Sequence, residues 1–492
     1  MPQQSKLIRS RDDWKTKAVQ RANEIREHRK TIKRRQEQLA EIKSHLNALQ
    51  QAAEDNKKKH LAPTTGQVVE ITQAQEVRTL GVLLVIQAVV SYRSIPRILN
   101  LLNTETALGL GWIPHFTSVI NWTLRLGLGL LTQVKPVSTP WLAIIDHSID
   151  IGTKKALVVL RVSVAALSQR GAAIQLEDCE CIGLKVCEHV NGESIAQDLD
   201  AIFNQTGKPT AIIKDGDYTL QKGVRLWSEK QETEIPVITD IGHSMATALK
   251  KQFEKTAAYK RFTTLINQGA LRLRQTELAF LIPPKLRSKG RFQSISTLGK
   301  WADKILDVFA VQGRAQKGSL LAKLRMALPG FIVLKPFIKR FASTIQVIAQ
   351  VMGILKNNGL DQISYERCFQ LSETMPKNSH VKKHLQKWLR HHLDIQKQLT
   401  DLPLLVSSDI IESLFGNFKH IIERSPQADM NRTTLLIPAL CGRMDKTTIN
   451  QALNQVRHND LEMWEQENIP YTVRKKRQAF FDNIGSQKVG KT

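Results

Sequence analysis

Trp141-Leu-Ala-Ile-Ile-Asp146-His-Ser-Ile-Asp150-Ile-Gly152, followed closely by Lys155-Ala-Leu-Val-Val-Leu-Arg161-Val162, decides the fold. Two apolar, β-branched runs flank a polar turn, the pattern of a β-hairpin. Asp146 stands at the exposed end of the first run. Two later runs have the same build. Pro209-Thr-Ala-Ile-Ile-Lys-Asp215-Gly216 ends in Asp and Gly, and Pro236-Val-Ile-Thr-Asp240-Ile-Gly-His243 in Asp and then His. Carboxylates at strand ends, on a sheet that also carries helices, suggest a metal site that handles phosphate.

Outward from these runs, residues 136–256 alternate strand and helix. Gly183 to Val190 reads as a third strand. An amphipathic helix over Glu193 to Phe203, the Asp215 strand, a helix around Leu220 to Gln231, the Asp240 strand and a helix from His243 to Lys255 follow. Three meandering strands and then βα units make an α/β sheet with helices packed on it. Residues 257–404 read as helical and rich in Lys and Arg. Ser408-Asp409-Ile-Ile-Glu412-Ser-Leu-Phe415-Gly-Asn-Phe-Lys419 opens a further helix, within 405–425. The rest, 426–492, reads as a helical, basic tail.

Before the sheet, residues 1–60 look like one basic helix. Ile25, Ile32, Leu39 and Leu46 recur every seventh position, with Ile42 and Leu49 on a second seam, or about three heptads of coiled coil. Pairing with a second copy and folding back on the same chain are both open. His60 to Gly66 reads as a linker. Residues 61–135 are helical. Ser94 to Asn103 and Pro114 to Arg125 open with Pro in the first turn and surround a Gly-bearing connection. That is the outline of a helix-turn-helix, with His115, Thr117, Ser118, Asn121 and Arg125 as the readers. An ordinary α-helical hairpin has the same outline.

The 492 residues carry 71 Lys and Arg against 45 Asp and Glu, a formal net charge of +26, so a polyanion is the expected partner. No apolar run reaches the roughly 18 residues of a spanning helix, and the charged start lacks a signal peptide's apolar core. Five cysteines, Cys179, Cys181, Cys187, Cys368 and Cys441, do not make a disulfide framework; a reducing compartment fits. The spacing of Cys179, Cys181, Cys187 and His189 does not match a usual zinc knuckle. No Walker loop occurs. Gly127-Leu-Gly129 comes nearest to a dinucleotide fingerprint, but Thr132 stands where its third Gly should be.

The ordered set of Asp146, Asp215 and Glu412 resembles the catalytic triad of RNase H-like DDE transposases. Asp215-Gly216 with Lys222-Gly-Val resembles their second-aspartate motif. Asp240-Ile-Gly-His243 resembles the (C/D)xxH element of families with a helical insertion before the Glu. Glu412 and Lys419, seven apart, resemble the tail of the Tyr-Arg-Glu-Lys signature of one insertion-sequence superfamily; Leu405 and Ser408 stand where its Tyr and Arg would be. The resemblance spans about residues 136–425. It implies an RNase H-like α/β core with an α-helical insertion, and metal-dependent cleavage of double-stranded DNA at terminal inverted repeats with strand transfer into target DNA. It also implies two Mg²⁺ or Mn²⁺ ions on Asp146, Asp215 and Glu412, support from Asp240, His243 and Lys419, a homodimer or larger assembly, no membrane, and a cytoplasmic, nucleoid-associated place in a prokaryote. An inactive domesticated DNA-binding protein and a nuclease without strand transfer are the competing readings.

Each residue has a structural role open to it as well. Asp146 starts a turn, with Asp150 a rival at period two. Asp215 suits an Asx turn, with Asp217 a competing ligand. Asp240 suits a helix N-cap. Glu412 suits a capping box with Asp409. Trp301 and Trp388, in amphipathic helices, fit the core better than a base-stacking role. Lys285, Arg287, Lys289 and Arg291 are expected to face phosphates.

Overall fold

The computed structural model describes residues 73–106, 109–135, 140–147, 154–187, 190–285, 291–310, 315–399, 403–422, 430–469, 471–472 and 475–482. The chain divides into two units, Met1–Glu70 and Ile71–Thr492, and every described residue belongs to the second. The heptad seam, the 60–66 linker, Asp150, His189, Arg287 and Lys289 lie outside the described residues.

In chain order the elements are α1 Gln73–Ile86, α2 Ile95–Glu105, α3 Phe116–Thr132, β1 Trp141–Asp146, β2 Lys155–Ser163, α4 Val164–Arg170, β3 Cys179–Cys187, α5 Gly192–Thr206, β4 Ala211–Lys214, α6 Tyr218–Ser228, β5 Val237–Thr239 and α7 Ile241–Phe253. Then come α8 Ala257–Leu273, α9 Arg291–Phe309, α10 Leu320–Ala327, α11 Lys335–Asn358, α12 Gln362–Glu373, α13 His380–Leu399, α14 Asp409–Ile422, α15 Leu436–Ala439, α16 Lys446–Gln455 and α17 His458–Asn468. The five strands form one sheet in the order β3-β2-β1-β4-β5. β2 runs antiparallel to both β1 and β3, whereas β1–β4 and β4–β5 are parallel. The expected meander and βα units are therefore present. The third strand starts earlier than its apolar pattern suggested, because Cys179 pairs with Val162 beyond an irregularity at Val159/Leu160.

β1 is buried along its whole length, since helices cover both faces of the sheet. The period of two then sorts its residues. Trp141, Ala143 and Ile145 join Ile212 of β4 in a smaller core with Leu199 and Phe203 of α5 and Val224 and Trp227 of α6. Leu142 and Ile144 join Ala211 and Ile213 in the larger core, which includes Ile411, Leu414 and Phe418 of α14. Continued by one step, the same alternation puts Asp146 and Asp215 on the α14 side.

β5 is an edge strand, and side chains of α13 cap it. The Thr239 N–H donates to His392 Nε2 at 3.1 Å, and Trp388 Nε1 donates to the Thr239 carbonyl at 3.1 Å. These two bonds occupy backbone groups that an edge otherwise leaves open. His392 must stay neutral to accept, and burial pushes its pKa from 6.5 down to about 4. A base with a depressed folded pKa lends full stability above its unfolded value and loses it as the pH falls through the window between the two. Stability should therefore drop by up to ~3 kcal/mol from pH 7 to 4 on this account. His392→Leu should lower stability at pH 7 and flatten that part of the curve. Denaturant melts at several pH values check both.

The helical insertion is tied to the sheet-side helices through aromatic rings. Phe253 of α7 lies edge-on to Phe341 of α11 at 5.2 Å, and Phe337 stacks on Phe341 at 5.5 Å. Trp301 and Trp388 are both structural. Trp301 Nε1 donates to the Leu281 carbonyl at 3.0 Å, and Trp388 is buried and stacks on His392 at 4.0 Å. Among the described residues no helix is long and apolar enough to cross a membrane.

Candidate functional site

The strand order reverses between β1 and β4: connections leave β1 toward β2 and β3 on one side, and β4 leads to β5 on the other. In open α/β sheets the crevice beyond the carboxyl ends of two such strands is where ligands bind. Asp146 is the last residue of β1, and Asp215 directly follows β4. Their predecessors, Ile145 and Lys214, are register partners, so the two carboxylates are lateral neighbours at that crevice.

Local hydrogen bonds hold both in place. Asp146 Oδ1 accepts the His147 N–H at 2.6 Å, and Asp215 Oδ1 accepts the Asp217 N–H at 2.8 Å. The Asx turn considered for Asp215 is thus real, and it leaves the second oxygen of the carboxylate outside the turn. Asp217 is the N-cap of α6, taking the N–H groups of Thr219 and Leu220, and its carboxylate lies 3.0 Å from His147 Nε2. Those bonds and the His147 contact hold its pKa below the usual carboxylate value, although partial burial pushes the other way. The His147–Asp217 bridge links the end of β1 to the start of α6 and so fixes the spacing of the two candidate ligands. Nothing in the sequence pattern singled out His147 beyond its place next to Asp146.

Asp240 joins the third strand end to the closing helix. It is the N-cap of α7, accepting the His243 N–H at 2.6 Å, and its other oxygen accepts the N–H of Ser408 at 2.8 Å and the Ser408 hydroxyl at 3.2 Å. It is 4% exposed, and that burial pushes its pKa up against the pull of those hydrogen bonds. Ile241 N–H also bonds the Val406 carbonyl. The segment that launches α14 is thereby pinned to the sheet. His243 leans over Asp215, with Nδ1 3.9 Å from Oδ2. Gly216 makes room for it: a Cβ there would lie 2.3 Å from the imidazole Cδ2.

Glu412 stands on the solvent-accessible stripe of α14. Its carboxylate has no hydrogen bond or ion pair among the described residues. Partial desolvation, then Asp409 and Asp240, push its pKa up; Lys356 opposes them, and Asp215 adds a weaker push. No capping box forms with Asp409, which pairs with Lys356 instead. Lys419 lies two turns further along the same side of the helix. Beyond desolvation, Asp409, Asp240 and Asp215 thus all raise the Glu412 pKa, and Lys356 counters them. The three expected metal ligands are not gathered to a point, however. Among the described residues no three His, Cys, Asp or Glu side chains stand close enough to hold one ion.

Of the Cys179, Cys181, Cys187 and His189 set, His189 lies outside the described residues. Cys179 and Cys181 are buried, and burial pushes both thiols up to about 12, away from the thiolate a metal needs.

The proposed DNA readers lie on and just before α3. α3 is packed against α15, α16, α17 and β3, and its second half is enclosed, with Leu124, Leu126 and Leu128 in the larger core. Gly127 lies so close to the Leu435 carbonyl that a Cβ would be 1.7 Å away. That approach explains the Gly127-Leu-Gly129 stretch. His115 caps α3 and is 2.8 Å from the Thr117 hydroxyl. Asn121 is 3.1 Å from His458 Nδ1. Thr117, Ser118 and Asn121 line a cleft of about 390 Å³ with Arg432 and His458. Arg125 donates to the Val456 carbonyl at 2.6 Å and to the Leu453 carbonyl, closing the end of α16. Arg125→Ala should cost about 1–3 kcal/mol of stability through those two charge-assisted bonds. It should leave the salt dependence of DNA binding unchanged. Thermal melts and a salt titration separate the two effects.

No known protein family and no curated protein matches the chain. Among solved structures it is similar to the Drosophila P element transposase strand transfer complex, with a TM-score of 0.37 and 12% identity, over 80% of this chain and 98% of that chain. A likeness of that size carries no argument about this chain.

Proposed function

We propose that the chain is a transposase with an RNase H-like core, cutting DNA at element ends and joining the 3′-OH to target DNA, with Asp146, Asp215 and Glu412 as its catalytic carboxylates. One observation carries this reading. Two aspartates sit side by side where the strand order reverses, and Glu412, which has no hydrogen bond or ion pair among the described residues, lies on a helix whose lead-in is clamped to the same sheet. The strand order, with β2 antiparallel in an otherwise parallel arrangement around β1, is the one the RNase H-like reading requires. The charge of +26 supports a polyanionic substrate.

The donor set contains carboxylate oxygens and no thiolate, which suits a hard divalent cation such as Mg²⁺. Asp146 and Asp215 are the pair to hold it, with water and phosphate oxygens filling the remaining positions, as Mg²⁺ prefers. When bound, such a cation polarises the phosphodiester and lowers the pKa of a nucleophilic water or hydroxyl. The protein's own part is positional. The His147–Asp217 bridge and the Asx turn at Asp215 hold the aspartates; the Asp240–Ser408 clamp anchors the start of the helix that carries Glu412; His243 flanks Asp215. Incubating the purified chain and Mg²⁺ with DNA that flanks its gene tests the proposal. Discrete breaks at inverted repeats, followed by joined products, are expected. Breaks without joining would favour a plain nuclease, and DNA binding without any break an inactive descendant.

A further inference from the structure

Two neighbouring residues of α7 tie the carboxylate crevice to α13. His243 reaches Asp215, and the Ser244 hydroxyl lies 2.9 Å from His384 Nε2. At the far end of α7, Gln252 accepts the Val381 N–H at 2.9 Å, so the contact between the helices runs the length of α7. The accessible side of this boundary is basic. On α13, His380, His384, Lys387 and His391 recur at spacings of four, three and four, which is one line along a helix. On α7, His243, Thr247 and Lys251 recur at every fourth residue. The two lines meet at His384. Burial first, then His380, Lys251 and Lys387, push its pKa below the ordinary value.

Few acids offset this charge. α7 contains none, and α13 contains one, Asp394, near its other end and beside β5. Glu254, just past α7, pairs with Lys250 at 3.6 Å, and Glu373 pairs with the buried Lys382. Lys251 and Lys387 are exposed, and neither has an ion pair among the described residues. Like charges held close together repel, and a bound anion removes that cost. We propose that the α7–α13 boundary is a track for the phosphate backbone of duplex DNA, leading out of the carboxylate crevice. Lys251 and Lys387 supply the charge, and His380 and His384 further donors. The rise from His243 to Lys251 is about 12 Å, roughly three phosphates of one strand at 3.4 Å each. Neither line carries a Trp, Tyr or Phe to stack on bases, which favours a duplex over a single strand. That the track serves the crevice rests on the cleavage reading; that it binds DNA does not.

Two double variants that each remove two positive charges provide the test. Lys251→Ala with Lys387→Ala changes the track, and Lys300→Ala with Lys304→Ala changes exposed positions on α9 as the control. Duplex affinity is read by fluorescence anisotropy over a salt series, without divalent cation. The track pair should lose roughly eightfold in affinity per lysine at 0.1 M salt, and its salt slope should flatten by about 2. The control pair should keep both, and both variants should melt like the wild type. Equal losses in the two pairs overturn the track. So does a track variant that binds like the wild type; if it also cuts DNA, the cleavage reading stands without the track. Track-dependent binding by a wild type that cuts no DNA keeps the track and overturns the cleavage reading. If the track pair weakens binding of single-stranded DNA or polyglutamate but not of duplex, the surface belongs to another polyanion and the duplex assignment is wrong.

Discussion

Asp146→Ala and Asp215→Ala should each reduce DNA cleavage by about a thousandfold or more while leaving DNA affinity within a fewfold of the wild type. The Lewis-acid contribution of a bound cation is several kcal/mol, and each ~1.4 kcal/mol is a decade in rate. Affinity should survive because it rests on counterion release by Lys and Arg, and neither aspartate takes part in that. Folding should survive as well. The Asp215 side chain is partly exposed, at 28%, and its one backbone bond closes a short turn. Asp146 is more enclosed, so Asp146→Asn is the better partner for the comparison. Glu412→Ala should lose cleavage too, and it should not destabilise, because that carboxylate bonds nothing among the described residues and is repelled by its neighbours. A melt beside a nicking assay reads both. Loss of binding along with cleavage in Asp215→Ala would move the aspartate from chemistry to architecture.

Gly127→Val should have the largest effect on folding. The Cβ would be driven to 1.7 Å from the Leu435 carbonyl, a backbone atom that cannot swing aside as a side chain can. Gly129 has the same problem in milder form, with Ala452 at 3.0 Å. Overpacking of this kind typically costs 1–3 kcal/mol and at times more. With backbone as the obstacle, the upper end or beyond is expected, and α15 and α16 should detach from α3. Expression of mostly insoluble protein, or hydrogen exchange that rises first in 435–455, is the anticipated outcome. Normal solubility and melting would mean that α3 can shift without loss.

These two positions show what the sequence made legible and what it hid. The strand ends at Asp146 and before Asp215 are legible because strands announce themselves locally, by alternating apolar residues that stop at a carboxylate. The helix that carries Glu412 is legible by its clean start. The Asp240–Ser408 clamp spans 168 positions, and no local pattern encodes a partner that far away. The His147–Asp217 contact is not legible either, because a histidine beside an aspartate has no period to betray it and its partner stands 70 positions away. Pro114 and the Gly-bearing turn make α3 legible as a helix, and its close packing is legible in its second half. Leu124, Leu126, Leu128, Leu130 and Leu131 leave no polar face for a groove, and paired glycines mark a close helix contact. The bonds of Arg125 to the Val456 and Leu453 carbonyls are not legible, because a guanidinium that caps a neighbouring helix is spelled the same way as one that reads a base.

The most direct test replaces Asp146 or Asp215 with Cys and compares Mg²⁺ with Mn²⁺. A thiolate is a poor ligand for Mg²⁺ and a better one for the softer Mn²⁺. If these side chains hold the cation at the cutting site, Asp146→Cys and Asp215→Cys should be inactive with Mg²⁺ and regain DNA cleavage with Mn²⁺, whereas the Ala variants stay inactive with both. Cleavage by Asp215→Ala with Mg²⁺ alone, or no difference between Cys and Ala variants with Mn²⁺, would contradict the account.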